Sequence, residues 1–313
     1  MQNLGQHYKQ KNVLVTGGAG FIGSHLAEQL VSLGAHVTIL DDLSSGIVEN
    51  LRSILHKVSI VVGDITNEND CKKAIRHKSH VFHLAAMTSV PDSVKRPDLC
   101  HKINVSGTKN LLEQASLYNV DHFVLSSSSA VYGDNQGPHL ETATRKTLSP
   151  YAESKALGED LCKKHAHDEK LNTTCLRYFN VYGPRQNPES QYAAVVALFT
   201  KLLKEGKPLT IFGDGTQTRD FVPVHEVVHA NLLAGSNENS KGEIYNIGSG
   251  RCITILQLIE QLEQQLGVKN VGINFLPPRD GDILHSKADC SKYYALKHKR
   301  GYSHESGNEA SYY

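Results

Sequence analysis

Short runs of apolar residues recur through the first half of the chain, and they do not alternate with polar residues. This pattern is typical of strands in a parallel sheet that helices cover on both faces. The runs occupy residues 13–15, 37–40, 58–62, 81–84 and 123–125. Stretches with helical periodicity separate them, at about 21–33, 67–77, 98–118 and 151–170. This alternation predicts an α/β fold, a doubly wound Rossmann-type parallel sheet.

The second half of the chain is patterned more loosely. Turn-forming glycines and prolines interrupt it at 183–184, 187–188 and 213–215. We therefore expect a Rossmann domain over residues 1–180, to which 224–250 return, and a mainly separate, smaller substrate-binding lobe over 181–313. The tail from about residue 297 is polar and aperiodic, and we expect it to be poorly ordered.

Composition and charge exclude several classes of partner. The 313 residues carry a net charge of +1, so there is no global field for nucleic acid or an anionic membrane, and we expect neither as a partner. No apolar run is long enough for a membrane span. The chain opens without a secretory leader pattern, and its six cysteines are dispersed, which favours a cytoplasmic protein. None of the 17 histidines has partners spaced as metal ligands, so no metal site is expected.

A glycine-rich turn follows the first predicted strand and opens the first predicted helix. Residues 16–23 read Thr-Gly-Gly-Ala-Gly-Phe-Ile-Gly, which satisfies both G-x-G-x-x-G and G-x-x-G-x-x-G. Glycine allows a tight turn and the close approach of a pyrophosphate, which the N–H groups of the following helix can bind. We predict that the turn binds a dinucleotide cofactor. The contributing residues are Gly17, Gly20, Phe21, Ile22 and Gly23.

Two acids end the second and third predicted strands. Asp41 lies 18 residues after the last glycine of the turn, where a carboxylate accepts hydrogen bonds from the adenosine ribose. It would repel a 2′-phosphate, so NAD is predicted as the cofactor in preference to NADP. The alternative is a turn or helix cap, because another acid and a serine follow closely. Asp64, with Ile65 after it, could reach the adenine amino group or could cap the next helix.

Tyr151 and Lys155 lie four residues apart, in Tyr-Ala-Glu-Ser-Lys, which places both side chains on one face of a helix. Free tyrosine has a pKa of about 10. A nearby ammonium favours the phenolate, which can remove a proton from a sugar hydroxyl. The alternative is that Tyr151 and Lys155 form an exposed amphipathic pair without a catalytic role.

These motifs together resemble the extended short-chain dehydrogenase/reductase family and, within it, the NAD-dependent nucleotide-sugar 4-epimerases. The resemblance covers about residues 11–292. It implies that Leu84, Ala85 and Ala86 contact the cofactor. It also implies that Ser128, in the serine run before Val-Tyr-Gly, joins the tyrosine and lysine in catalysis by hydrogen-bonding the reacting sugar oxygen. The implied activity is 4-epimerisation of a UDP-hexose through a transient 4-keto sugar.

The two residues after Ser128 separate this chain from rival activities. The resembling sugar 4,6-dehydratases carry an Asp-Glu pair there, and the related decarboxylases usually keep the acidic residue. Here the positions hold Ser129 and Ala130. A 4-keto intermediate without those groups has no obvious route to elimination. Epimerisation, in which the hydride returns to the other face, is the remaining outcome.

The same resemblance implies a nucleotide-sugar site in the second half of the chain. Tyr178 would lie near the nicotinamide, and Asn180 would bind the diphosphate. Arg219 and Arg279 would grip the diphosphate with bidentate hydrogen bonds, and their alternative is a surface salt bridge. Asp282 would hold the nucleotide ribose.

The identity of the sugar depends on Ser286. Some resembling epimerases carry there a bulky tyrosine that closes the space beside carbon 2 of the sugar. A serine leaves room for an N-acetyl group, so we expect UDP-N-acetylglucosamine and UDP-N-acetylgalactosamine to be accepted, alongside UDP-glucose and UDP-galactose. Thr88 stands where some epimerases have a lysine. UDP-glucuronate is the alternative substrate, and no cation for its carboxylate is identified. A non-catalytic NAD-sensing protein is the alternative of a different class.

Assembly and the chain end are also expected from the resemblance. Relatives often dimerise through two helices, here at about 98–118 and 151–170, so a homodimer is expected. Relatives usually continue with an ordered helix after the segment matched by 288–292. This chain has a polar tail instead, which predicts weaker support of the substrate lobe.

Overall fold

The computed structural model describes residues 2–135, 137–168, 170–188, 195–278 and 283–299. The strands are β1 (Asn12–Thr16), β2 (His36–Asp41), β3 (Val58–Val62), β4 (His80–His83), β5 (His122–Ser128), β6 (Thr173–Tyr178), β7 (Asn180–Tyr182), β8 (Leu209–Phe212), β9 (Thr218–Arg219), β10 (Phe221–Pro223), β11 (Glu243–Ile247), β12 (Ile253–Thr254) and β13 (Ile273–Leu276). The helices are α1 (Gln2–Tyr8), α2 (Phe21–Ser32), α3 (Glu68–Ile75), α4 (Val90–Lys95), α5 (Pro97–His101), α6 (Gly107–Leu117), α7 (Pro150–His167), α8 (Val195–Lys204), α9 (Val224–Gly235), α10 (Ile255–Leu266) and α11 (Ser291–Lys299).

Seven of the strands form one parallel sheet, in the order β3-β2-β1-β4-β5-β6-β11. The chain runs outward from β1 to β3 and then crosses back to β4 on the other side of β1. The strand order therefore reverses between β1 and β4. In open α/β sheets, ligands bind outside the carboxyl ends of the strands at such a switch point.

The apolar runs are continuous because both faces of the sheet are covered. Val13 and Val15 face a buried cluster that includes Leu26 and Leu30 of α2 and residues of α9. Leu14, between them in β1, faces the opposite cluster, with residues of α3 and α6. Alternate residues of one strand thus enter two different cores, and neither face favours polar side chains.

A smaller lobe lies beyond the sheet and has a core of its own. β8 pairs in parallel with β13, and α8 packs on α10. Phe199, Leu203, Ile211, Leu258 and Leu262 are among its buried residues. Two short ladders, β7 with β10 and β9 with β12, complete the pairing. The lobe contributes Arg219 and the residues around Ser286 to the carboxyl side of the sheet.

The doubly wound parallel sheet predicted from the sequence is confirmed, and all five predicted strands are present. The helical stretch predicted at about 98–118 is confirmed, and a π-helical segment at Lys102–Ser106 connects α5 to α6 within it. None of the described helices is long and apolar enough to cross a membrane.

The expectation that a polar tail replaces an ordered helix after the 288–292 segment is wrong, and residues 300–313 of the tail lie outside the described residues. α11 follows the 288–292 segment, and it includes residues 297–299 of the tail predicted to be poorly ordered. Its Tyr293 and Leu296 are buried, at 2% and 6% exposure. The helix packs against β11. Two apolar residues three positions apart are enough to dock a short helix, although the polar residues around them hide the periodicity.

Candidate active site

The glycine-rich turn connects β1 to α2 at the switch point of the sheet. Gly17 has a φ of +66°, which residues with side chains disfavour. A Cβ on Gly17 would lie 2.7 Å from the backbone nitrogen of Ala85, and one on Gly23 would lie 2.2 Å from the carbonyl oxygen of Gly17. Both contacts are with backbone, so no side-chain rotation could relieve them. The close packing of the turn against the end of β4 therefore requires both glycines.

The N-terminus of α2 is open. Gly20 is its N-cap residue, and no side chain caps the helix. A Cβ on Gly20 would meet the carbonyl oxygen of Gly17 at 3.2 Å. Phe21 and Ile22 begin the helix and pack against the core. The first N–H groups of a helix have no partner within it and carry a partial positive charge, so this end of α2 can bind an anionic group such as a pyrophosphate.

Asp41 holds the backbone of the turn. Its Oδ2 accepts a hydrogen bond from the backbone N–H of Ala19 at 2.9 Å, and its Oδ1 accepts one from Leu43 at 2.9 Å. The residue is 6% exposed, and burial raises the pKa of its carboxyl. The turn-capping alternative is thus realised in the structure. Each oxygen has a second lone pair, with which a ribose hydroxyl could still hydrogen-bond.

Asp64 and Ile65 follow β3 at the edge of the sheet. Asp64 is exposed, and its Oδ1 accepts a hydrogen bond from the backbone N–H of Thr66 at 2.8 Å. The cap of α3 is Asn67, so the helix-cap alternative for Asp64 is wrong. Ile65 is buried beneath α6, where a Cβ on Gly107 would lie 2.7 Å from its Cδ1.

The run Leu84-Ala85-Ala86 leaves the end of β4 beside the glycine-rich turn. The backbone N–H groups of Leu84 and Ala85 both reach Oγ1 of Thr16, each at 3.2 Å. This threonine also bonds Nδ1 of His83 at 2.7 Å. The last residue of β1 therefore fixes the segment that Gly17 packs against.

Tyr151, Lys155 and Ser128 converge at the carboxyl end of β5. Pro150 and the N-cap Ser149 start α7 immediately before Tyr151. Lys155 is 7% exposed, and its Nζ donates a hydrogen bond to the carbonyl oxygen of Ser126 at 2.8 Å. The Lys155 Nζ lies 5.8 Å from the centre of the Tyr151 ring. The exposed-pair alternative for Tyr151 and Lys155 is therefore wrong.

The electrostatics of this group are set mainly by burial. Burial raises the pKa of Tyr151, and a hydrogen bond with the Ser128 side chain opposes that change. Burial also lowers the pKa of Lys155 to about 8, against opposing effects of Cys100 and Glu159. The lysine can therefore change its protonation state near physiological pH. A phenolate at Tyr151 needs further positive charge beside it.

Tyr178 is fixed beneath this group at the end of β6. Its hydroxyl lies 2.9 Å from Oγ of Ser126 and 2.7 Å from Nδ2 of Asn231. Burial raises the pKa of Tyr178 to about 12. Asn231 was not predicted from the sequence, although an amide within the apolar run of α9 is an unusual feature that could have indicated it.

Asn180 and Arg219 are brought together by Asp220. The carbonyl oxygen of Asp220 accepts hydrogen bonds from the backbone nitrogen and the Nδ2 of Asn180, both at 3.0 Å. Its buried carboxylate accepts four more, from the backbone and hydroxyl of Ser249 and from the backbones of Gly250 and Ala288. Asp220 was also missed in the sequence, where it reads as an ordinary acid next to Arg219.

A cleft of about 810 Å³ lies next to Arg219 in the smaller lobe. Its lining includes Phe212, Phe275, Pro278, Leu284 and His285. The Nη1 of Arg219 bonds the carbonyl oxygens of Thr218 and Leu284, at 3.0 and 3.4 Å.

The remaining substrate-site predictions have different outcomes. Ser286 is 7% exposed, and its backbone N–H donates to the carbonyl oxygen of Thr218 at 3.2 Å. Thr88 is exposed after β4. Arg279 and Asp282 lie outside the described residues. Within the described part of the chain, no three His, Cys, Asp or Glu side chains converge as metal ligands.

Comparison with known proteins agrees with this geometry. Residues 13–248 match the model of the NAD dependent epimerase/dehydratase family. A putative UDP-glucose 4-epimerase of Methanocaldococcus jannaschii is 39% identical over 287 residues, which cover 91% of this chain and 92% of that protein. A UDP-N-acetyl-alpha-D-glucosaminuronate decarboxylase of Bacillus cytotoxicus is 37% identical over 310 residues, 93% of this chain and 95% of that protein.

A solved structure extends the similarity to three dimensions. The UDP-N-acetylglucosamine 4-epimerase of Methanobrevibacter ruminantium, in complex with UDP-N-acetylmuramic acid, superposes with a TM-score of 0.88. It is 39% identical, and the match covers 92% of each chain. The protein therefore belongs to the NAD-dependent epimerase/dehydratase family and is an isomerase that uses NAD as its cofactor.

Proposed function

We propose that this protein interconverts UDP-hexoses that differ in configuration at carbon 4. Its main substrates are UDP-N-acetylglucosamine and UDP-N-acetylgalactosamine, and it also accepts UDP-glucose and UDP-galactose. The observation that carries the proposal is the convergence of Tyr151, Lys155 and Ser128 beside the glycine-rich turn, in a chain without acids at positions 129 and 130.

The described residues fit NAD. Side chains at Gly17 and Gly23 would collide with backbone atoms, so the tight turn between β1 and α2 needs glycine at both positions. The open helix end at Gly20 suits the pyrophosphate, and Asp41 offers its remaining lone pairs to the adenosine ribose. The segment after β4, with Leu84, Ala85 and Ala86, borders the cofactor site next to the glycine-rich turn. The chemistry that NAD supplies when bound is reversible hydride acceptance at the sugar carbon.

Proton transfer belongs to Tyr151. As a phenolate, it takes the proton of the 4-hydroxyl while Ser128 hydrogen-bonds the same oxygen. The Lys155 ammonium stabilises that phenolate. Loss of this proton together with the hydride of carbon 4, which bound NAD would accept, gives a 4-keto sugar. After the ketone has turned its other face to the site, Tyr151 returns the proton and the hydride would return to carbon 4 on that face, which inverts its configuration.

The nucleotide is held away from the reacting carbon. Arg219 and Asn180 bind the diphosphate, and Arg279 and Asp282 complete this binding. The uracil enters the cleft that Phe212 and Phe275 help to line, and their aromatic side chains suit a planar base. Binding energy placed here leaves the sugar free to rotate about its phosphate bonds, as inversion of the ketone requires.

The sugar preference follows from Ser286. Its side chain is small, and its backbone is fixed to Thr218 of β9, which also carries Arg219. The space that a tyrosine would occupy remains for an N-acetyl group at carbon 2. Thr88 lies on the carboxyl side of β4 and faces the sugar from the other direction.

Elimination and decarboxylation are the activities to be distinguished from epimerisation, because a decarboxylase is among the relatives. Ser129 and Ala130 occupy the positions after Ser128, and neither side chain is a general acid or base of useful pKa. UDP-glucuronate remains the alternative substrate. In a non-catalytic NAD-sensing protein, the arrangement of Tyr151 and Lys155 in one buried group would have no function.

Proton NMR of the anomeric signals tests the proposal directly. The protein is incubated separately with UDP-N-acetylglucosamine and with UDP-glucose, and a Tyr151→Phe variant is the control. The 4-epimer should form from both sugars with the wild type and from neither with the variant. Turnover of UDP-glucose alone would refute the N-acetyl preference. Turnover of neither, with UDP-glucuronate converted, would favour the alternative substrate.

The protein is further proposed to act as a cytoplasmic homodimer. The helices concerned are α5, α6 and α7, which pack on one another on one face of the sheet. A second copy related by a two-fold axis would form a four-helix bundle from α6 and α7. Light scattering should give twice the chain mass of 34.4 kDa, and a monomeric mass would contradict the dimer.

A further inference from the structure

Glu159 and Arg177 form a buried ion pair directly behind the catalytic group. Their side chains are 1% and 2% exposed. The Nε of Arg177 lies 2.8 Å from Oε1 of Glu159, and its Nη2 lies 2.7 Å from Oε2, so the contact is bidentate. Desolvating two charges can cost more than their attraction returns. A stabilising role alone is therefore a weak explanation for the pair.

The pair connects three elements that carry catalytic or cofactor-site residues. Glu159 is one helical turn after Lys155 on α7, and its Oε1 accepts a hydrogen bond from Oγ of Ser127 at 2.6 Å. Ser127 immediately precedes Ser128 on β5. Arg177 immediately precedes Tyr178 on β6. One ion pair thus fixes α7 against β5 and β6 at the level of the reaction.

The pair also has partners on its other side, including Arg145, whose Nη1 lies 3.6 Å from Oε2 of Glu159. Nη1 of Arg177 donates to the hydroxyl of Tyr132 at 2.8 Å and to the carbonyl oxygen of Glu141 at 3.1 Å. The Tyr132 hydroxyl donates to Oδ1 of Asn246 on β11 at 2.6 Å. Satisfied buried networks of this kind are rigid.

We propose that Glu159 and Arg177 are positioning residues for this site: the pair fixes α7 against the serine-bearing end of β5, and its carboxylate keeps Lys155 protonated. The kinetic part of this inference rests on the proposed epimerase function, and the electrostatic part does not. Neither residue touches the substrate, so each acts through Lys155 and Ser128.

The surroundings of Lys155 support the electrostatic part. The groups that face it are Tyr151 and Glu159 on α7, Cys100 on α5, His83 on β4 and, across the ion pair, Arg177. Burial lowers the pKa of His83 to about 3 and raises the pKa values of Tyr151 and Cys100, so these three are neutral at neutral pH. Glu159 is then the negative charge that opposes the deprotonation of Lys155.

NMR titration of Lys155 tests this inference without substrate. Lysines labelled with carbon-13 at Cε are titrated in the full-length protein, and the Lys155 signal is assigned by its loss in Lys155→Arg. Glu159→Gln should lower the Lys155 pKa below its wild-type value. Glu153→Gln is the matched control, because it makes the same chemical change at an exposed position of α7, and it should leave that pKa unchanged. An unchanged pKa in folded Glu159→Gln would overturn the electrostatic part.

Two further variants keep the test decisive if the unpaired Arg177 unfolds the chain. Glu159→Gln combined with Arg177→Gln removes both charges and should still lower the Lys155 pKa. Ser127→Ala removes only the hydrogen bond between β5 and Glu159. It should reduce kcat about tenfold through misplacement of Ser128 while KM and the Lys155 pKa stay unchanged. Wild-type kcat in Ser127→Ala would overturn the positioning part. Failure of the wild type to epimerise would refute the proposed function and leave the titration result standing.

Discussion

Replacing Asp220 with asparagine would test how the nucleotide-sugar side of the site is anchored. The carboxylate is fully buried. Its Oδ1 accepts hydrogen bonds from the backbone and hydroxyl of Ser249, both at 2.7 Å. Its Oδ2 accepts from the backbones of Gly250 and Ala288, at 3.0 and 3.1 Å. An amide has the same shape, but one of its ends donates. If the NH₂ group replaces Oδ2, it faces two backbone donors. If it replaces Oδ1, it faces the backbone N–H of Ser249, and the Ser249 hydroxyl can turn to accept from it, so at least one hydrogen bond is lost either way.

The magnitude follows from the one bond that is lost in the better orientation of the amide. Hydrogen bonds to a charged group contribute about 1.5–3 kcal/mol each, so the variant should lose at least about 1.5–3 kcal/mol of unfolding free energy. That is a substantial part of the roughly 5–15 kcal/mol that holds a typical domain together. The binding of UDP should weaken as well, because the main chain of Asp220 positions Asn180 through two hydrogen bonds.

Urea unfolding followed by circular dichroism measures the stability, and calorimetry measures UDP binding. Asp42→Asn is the control. Asp42 is an exposed acid after β2 that accepts hydrogen bonds from the backbone and hydroxyl of Ser44, and its replacement should change little in either measurement. If Asp220→Asn unfolds at the urea concentration of the wild type and binds UDP as tightly, the anchoring argument is refuted.

Three other predictions concern the turn, the sugar and the pH profile. Gly23→Ala forces a Cβ to within 2.2 Å of a backbone oxygen, so it should cost at least about 1–3 kcal/mol of stability and abolish NAD binding in calorimetry. Gly5→Ala, whose Cβ would have its nearest neighbour at 3.9 Å, should leave NAD binding unchanged. Ser286→Tyr should remove turnover of UDP-N-acetylglucosamine and spare UDP-glucose, and an equal loss on both would contradict the pocket argument. Burial lowers the pKa of Lys155 to about 8, so its ammonium is lost as the pH rises through that value. The kcat/KM should then decline on the alkaline side, and a flat profile there would show that the ammonium is not needed.

The sheet and the glycine-rich turn could be predicted because their causes are local. A strand covered on both faces must be apolar at successive positions, and the run 13–15 lies within β1, where all three residues are buried. The turn needs glycine at Gly17 and Gly23 because backbone approaches backbone there, and that need appears as a short motif.

Features that depend on distant partners were not predictable in the same way. β6 reads Thr-Thr-Cys-Leu-Arg-Tyr, and its arginine suggests a surface position. Arg177 is buried only because Glu159, on another element, neutralises it. Asp220 similarly depends on donors 29 to 68 residues away. Hydropathy patterns contain no information about such pairings.

The two buried carboxylates also decide where the substrate proton can go. Glu159 accepts two hydrogen bonds from Arg177 and one from Ser127, and Asp220 accepts four. Protonating either acid would place a donor against donors and would break bonds that fix the site. Each carboxylate is thus occupied as an acceptor. Tyr151 differs, because its opposing partner is the hydroxyl of Ser128, which can both donate and accept. In this arrangement Tyr151 transfers the proton, and the two carboxylates fix the positions of the residues around the site.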